Sequence, residues 1–149
     1  MADLAKAIRK LSKIAVSPKD WSAITALKDR SKYLESSIKL TAKQMQKHAA
    51  SKLSSRAEKI QKTAVSANDF RAAAQAHVHA AQSQKSSGNL SRAARHLSSA
   101  AEITEDRKSH ADAAQAHTEA AQSAMKRGQP EAYDYHIRLA KMHTKKAGG

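Results

Sequence analysis

Ala73-Ala74-Gln75-Ala76-His77-Val78-His79-Ala80-Ala81-Gln82-Ser83 is written again, without a gap, as Ala113-Ala114-Gln115-Ala116-His117-Thr118-Glu119-Ala120-Ala121-Gln122-Ser123. The offset is 40 residues, and Gly88 with Gly128, His96 with His136, and Ala100 with Ala140 keep it. A unit of this length repeated in tandem marks a stacked supersecondary unit. Alanine is the best helix former and lets helices approach closely, whereas the β-branched and aromatic residues that strands prefer are scarce. The fold class expected is therefore all-α.

Within each copy, glycine marks the turn. A helix from about Ala67, capped through Ser66-Ala67-Asn68-Asp69, should end at Gly88 in a left-handed position. The next should start at Asn89-Leu90-Ser91 and run to about Thr104. Ser109-His110-Ala111-Asp112 offers a cap for a fifth helix that stops before Gly128, and Pro130-Glu131 opens a sixth that runs to about Lys145. Each copy is thus an antiparallel hairpin, with Gly88 and Gly128 as its structural turns.

Ahead of the repeat, Leu4, Ala7, Ile8, Leu11 and Ile14 recur at helical spacing with lysines opposite, so a short amphipathic helix is expected with Asp3 as its N-cap. It lacks the aromatic anchors usual on a lipid surface, and membrane contact is not expected. Ser17-Pro18-Lys19-Asp20 is a second helix start. From there to Ser66 there is neither Gly nor Pro, and Trp21, Ile24, Leu27, Leu34, Ile38, Met45, Ala49, Leu53, Ala57 and Ile60 keep a near-heptad spacing. One long helix over about 18–65 is the preferred reading; two helices broken at Ser36-Ser37 or Ser54-Ser55 is the alternative. About six helices result, divided by composition into an N-terminal basic helical region, 1–66, and a two-hairpin repeat region, 67–149.

The chain of 149 residues carries a net charge of +14. Residues 1–66 hold 15 Lys and Arg against 5 Asp and Glu, whereas 67–149 hold 12 against 8. Such a field favours anionic partners, solubility alone being the plain alternative. Lys39, Lys43, Lys47, Lys52, Arg56, Lys59 and Lys62 are accompanied only by Glu58. Solvated helix faces usually alternate sign. These seven residues are the candidate nucleic-acid-binding set, and engaging all seven with duplex DNA would make affinity fall roughly as the sixth power of salt concentration.

The residues Gly88, Ala93, Leu97 and Ala100 give the second helix of the hairpin a pattern that resembles the tetratricopeptide repeat. That resemblance implies a concave protein-docking surface. The period of 40, the replacement of large residues by His77 and Ala80, and Tyr133 at a small-residue position depart from the family pattern. Ala73–Ala81, Ala113–Ala121, His96 and His136 are also similar to Ala/His-rich helical segments of tailed-bacteriophage virion proteins, which implies a head-associated structural role.

His77 and His96 stand at a similar level about the first turn, as do His117 and His136 about the second. These seam histidines read as fillers at the partly buried edge of an alanine seam, with a pH switch as the alternative. No metal is expected: Cys is absent, and no carboxylate recurs at the same offset. Disulfides are excluded. There is no Gly-x-Ser-x-Gly elbow and no Gly-rich phosphate loop. Glu105-Asp106, beside Arg107 and Lys108, reads as a solvated turn. Neither catalysis nor a cofactor is expected. No signal-peptide core or spanning segment is visible, so a cytoplasmic or virion location is expected. The function expected is that of a non-enzymatic structural or interaction protein docking on a protein partner or on its own copies. The alternative is sequence-nonspecific nucleic-acid binding through the basic helix.

Overall fold

Continuous helical propensity between well-formed caps gives six helices: α1 Ala2–Ile14, α2 Pro18–Thr63, α3 Ala67–Ser86, α4 Leu90–Thr104, α5 Arg107–Lys126 and α6 Pro130–Gly148. The computed structural model describes residues 2–14 and 18–148, with side chains for 6–13 and 21–148. No strand occurs among them, so the chain is all-α. No helix among the described residues is long and apolar enough to cross a membrane. The capping pattern at Ser17 lies outside the described residues.

α2 is one helix and unbroken at either serine pair. Hydroxyls along it donate back to the carbonyl four residues earlier, as Ser36 does to Lys32 and Thr41 to Ser37, and so remain compatible with helix. Two corrections concern helix starts. α1 begins at Ala2, so Asp3 lies inside its first turn and is not its cap. α5 begins at Arg107, capped by Asp106 and not by Ser109. Glu105, at φ 53, turns the chain left-handed out of α4, which places Asp106 in extended backbone where its carboxylate accepts the Ser109 N–H. The hydroxyl and backbone N–H of Ser109 hold that carboxyl at about 2. The acidic dipeptide read as a solvated turn is thus the cap itself.

Ser66 and Asp69 form the reciprocal capping box that opens α3. Gly88 (φ 80) and Gly128 (φ 66) take the left-handed position. Asn89 N–H donates to Gln84 C=O and Gly88 N–H to Lys85 C=O, and Gln129 and Gly128 repeat this on Ala124 and Met125. Both turns are therefore Schellman closures, which satisfy carbonyls that a helix end would otherwise orphan.

Two compact units divide inside α2, at Met45/Gln46. The charge boundary at Ser66 therefore does not coincide with the packing boundary. In residues 46–149, α3 packs on α4, α4 on α5, and α5 on α6. The last third of α2 joins them through Ala50, Ser54 and Ala57, which are buried. In that unit the buried apolar residues are all alanines; the bulk among them is imidazole, since His77, His117 and His143 are the largest fully buried side chains.

Candidate functional site

Alanine leaves short spaces between helices, and a ring with two polar nitrogens can occupy such a space only if both find partners. Each hairpin supplies them by pairing its own histidines. His77 Nδ1 meets His96 Nδ1 at 2.9 Å, and His117 Nδ1 meets His136 Nδ1 at 2.8 Å. The level matching read from the turns is realised, but the pairs sit inside the seam and not at its edge: His77 is 2% exposed and His117 is fully buried.

The outer nitrogens reach the preceding helix. His77 Nε2 lies 2.8 Å from Gln61 Oε1 and His96 Nε2 2.8 Å from Ser54 Oγ, both on α2. In the second hairpin, His117 Nε2 lies 2.8 Å from Ser98 Oγ and His136 Nε2 3.0 Å from Ser91 Oγ, both on α4. Ser54 and Gln61 thus serve the first hairpin as Ser91 and Ser98 serve the second. The seats are offset by 37 residues and the hairpins by 40, because three fewer residues separate the α2 seat from the hairpin it supports. The end of α2 is a structural counterpart of α4 that carries no sequence copy of it.

A neutral imidazole has one donor and one acceptor. In the first network Gln84 Nε2 donates to Ser54 Oγ, and Gln61 Oε1, which can only accept, sets the order along the rings: His77 Nε2–H donates to Gln61, His96 Nδ1–H to His77, and His96 Nε2 is left to accept the single Ser54 proton, for which Ala50 C=O competes. The second network is longer. Ser98 Oγ also lies 2.9 Å from His143 Nε2, and His143 Nδ1 meets His110 Nδ1 at 2.8 Å. A connected row runs Ser91, His136, His117, Ser98, His143, His110. The single Ser98 proton can serve one of its two histidines; the other must donate to it.

Burial lowers His77, His96, His117, His136 and His143 from the ordinary 6.5 of an imidazole. For His77 the burial effect is joined by repulsion from His96 and opposed by Glu58; for His96, Glu58 again opposes and Arg92 assists. His117 falls to about 4 through burial, then through His136, His143 and Arg95. His136 is lowered by burial and Arg95, and His143 by burial and His110, against Glu102.

His110 and His143 form a pair that the repeat does not predict. Forty residues earlier stand Phe70 and Ile103. Glu102 joins them: one ligand atom each from Glu102, His110 and His143 lies within 4.8 Å of the others. This is the one set of three metal-ligating side chains so gathered among the described residues.

The candidate basic residues fall on both units. Lys39 and Lys43 belong to the first, and Lys47, Lys52, Arg56, Lys59 and Lys62 to the second. All seven are exposed. At 3.6 residues per turn, Lys52, Arg56 and Lys59 cluster within roughly 60° on the side of α2 opposite Ala50, Ser54 and Ala57. The two ion pairs among the described residues, Lys85–Glu119 and Lys146–Glu102, use none of them. A polar groove of about 490 Å³ lies over the His77–His96 pair, with Ser51, Ser55 and Glu58 on one wall and Arg92, Arg95 and Ser99 on the other.

Ser54, Gln61, Ser91, Ser98, Glu102, His110 and His143 were not singled out by sequence. The signal for the first four was the recurrence of a small polar pair seven residues apart, which an offset of 40 does not align. No family model, curated protein or solved structure matches the chain.

Proposed function

We propose that the protein is a non-enzymatic helical assembly protein that associates with its own copies through the first half of α2. The observation that carries this reading is an uncovered apolar stripe. Ile24, Leu27, Ser31, Leu34, Ile38, Thr41 and Met45 alternate three- and four-residue steps, the spacing of a coiled-coil seam. Ile24 is 3% exposed, but Ile38 is 55% and Met45 69% exposed. A second copy of the same helix is the occupant that this spacing fits, because each apolar knob finds its own hole on a like partner. The similarity of the Ala/His-rich hairpins to tailed-phage virion segments makes a virion the setting proposed.

Light scattering coupled to size exclusion should give a mass above the 16.1 kDa of one chain. The pair Ile38→Asp and Met45→Asp should return it to one chain with helicity unchanged. A single-chain mass for the unsubstituted protein across a concentration series would refute this reading.

A second reading is favoured by the exposed, unpaired cations on the back of α2: the protein binds the phosphate backbone of nucleic acid without regard to sequence. The scarcity of aromatic side chains speaks for duplex and against stacked single strands. The three clustered charges, Lys52, Arg56 and Lys59, engaging duplex DNA predict a log–log salt slope of about −2.7. Charge reversal at Lys52, Arg56 and Lys59 should remove that slope. A slope near zero, or one unmoved by the reversals, would exclude it.

A further inference from the structure

We propose that Glu102, His110 and His143 form a binding site for a divalent transition-metal ion, with zinc as the best-fitting class. Two imidazoles and one carboxylate from three different helices, α4, α5 and α6, converge to within 4.8 Å. Two imidazoles with a carboxylate and one open position is a donor set suited to zinc, whose ligands take tetrahedral directions at about 2.0–2.1 Å. Two nitrogens on such an ion stand roughly 3.3 Å apart. The His110 and His143 Nδ1 atoms, now 2.8 Å apart and sharing one proton, need to separate by only about half an ångström to admit it.

Three further observations point the same way. First, the site interrupts the repeat. Where the first hairpin has Phe70 and Ile103, the second has His110 and His143, so two apolar residues are replaced together by two imidazoles beside Glu102 of α4. Phe70 is 43% exposed, so the first hairpin has no buried counterpart of this histidine pair.

Second, His143 already has the outer-shell partner that a metal-bound histidine needs. Its Nε2 lies 2.9 Å from Ser98 Oγ, which can accept the Nε2 proton and so leave Nδ1 for the ion. Third, access is provided on one side only. Both rings are buried, whereas the Glu102 side chain is about half exposed and opens the site to solvent. Lys146, 2.8 Å from Glu102, now neutralises the carboxylate that the ion would bind.

Metal at His143 Nδ1 also sets the direction of the buried row. His143 Nε2–H must then donate to Ser98, Ser98 to His117, His117 Nδ1–H to His136 Nδ1, and His136 Nε2–H to Ser91. One ion thus fixes the tautomers of three histidines, His143, His117 and His136, and the direction of the Ser98 hydroxyl.

The test is titration with zinc, followed by calorimetry and by imidazole nitrogen NMR. One ion should bind per chain, raise the melting temperature and shift His110 and His143 Nδ1. Glu102→Gln, a half-exposed change that leaves the packing alone, should weaken binding at least tenfold. His110→Phe with His143→Ile, the pair that the first hairpin carries in these places, should abolish the one-to-one binding. The absence of stoichiometric binding would overturn the proposal. So would binding that persists undiminished in both variants, since it would then lie on exposed histidines such as His48 or His79.

Discussion

Replacing Ser98 by valine should cost about 2–4 kcal/mol in urea unfolding, the largest loss expected for any serine in the chain. Ser98 Oγ is within 2.9 Å of two buried imidazole nitrogens, on His117 and His143. No buried side-chain nitrogen or oxygen among the described residues lacks a partner. Valine would orphan both nitrogens at once, at about 1–3 kcal/mol each, while its extra methyl denies the place to a replacing water. Threonine keeps the hydroxyl and should recover most of the loss. Ser99→Ala, on the same helix away from the row, should stay within about 0.5 kcal/mol. Equal effects at Ser98 and Ser99 would show that the bridge contributes nothing. The effect is large because the seam is built from alanines: each buries little apolar area, so the filled and hydrogen-bonded rings hold a larger share of the packing than in a leucine core.

That division between alanine and imidazole was only half visible in the chain. Gly88 and Gly128 fix where each hairpin turns, and a turn fixes which residues face each other, so His77–His96 and His117–His136 could be paired by counting outward. Helix type and number followed from propensity and caps for the same local reason. The seats on the preceding helix could not be found by that route. Ser54 and Gln61 lie in a segment with no sequence copy, and their equivalence to Ser91 and Ser98 exists only after α2 and α4 are placed against their hairpins. The buried stripe of α2 also moved by one position, from Ala49 and Leu53 to Ala50 and Ser54, because a helix facing an alanine seam buries its small residues and leaves larger ones at the margin. His110–His143 joins the start of one helix to the end of the next, a distance that no local count spans. The positions 40 beyond Ser91 and Ser98 are Glu131 and Arg138, exposed and charged, so the hydroxyl seat of α4 is not repeated on α6.

Acidification from pH 7 to pH 5, with chelator present, should lower stability by several kcal/mol and end in unfolding at modest denaturant. The sign follows from the lowered imidazole values. His77, His96, His117, His136 and His143 all titrate below 6.5 in the folded chain, His117 at about 4. Between the folded and unfolded values the unfolded chain holds more protons, so stability is complete above about 6.5 and falls as pH drops, by up to about 1.4 kcal/mol per pH unit for each such ring. Glu58 beside the first pair and Glu102 beside His143 soften the fall. Arg92, Arg95 and Lys146 steepen it. In the His77–His96 and His117–His136 pairs there is a threshold: one added proton leaves an N–H···N bond intact, but a second sets two donors face to face at 2.8–2.9 Å and breaks it. The decline should therefore steepen toward the lower end of the range. Rings with the same surroundings in the folded and unfolded chain would give a flat profile over this interval, so constant stability from pH 7 to pH 5 would contradict the buried pairs themselves.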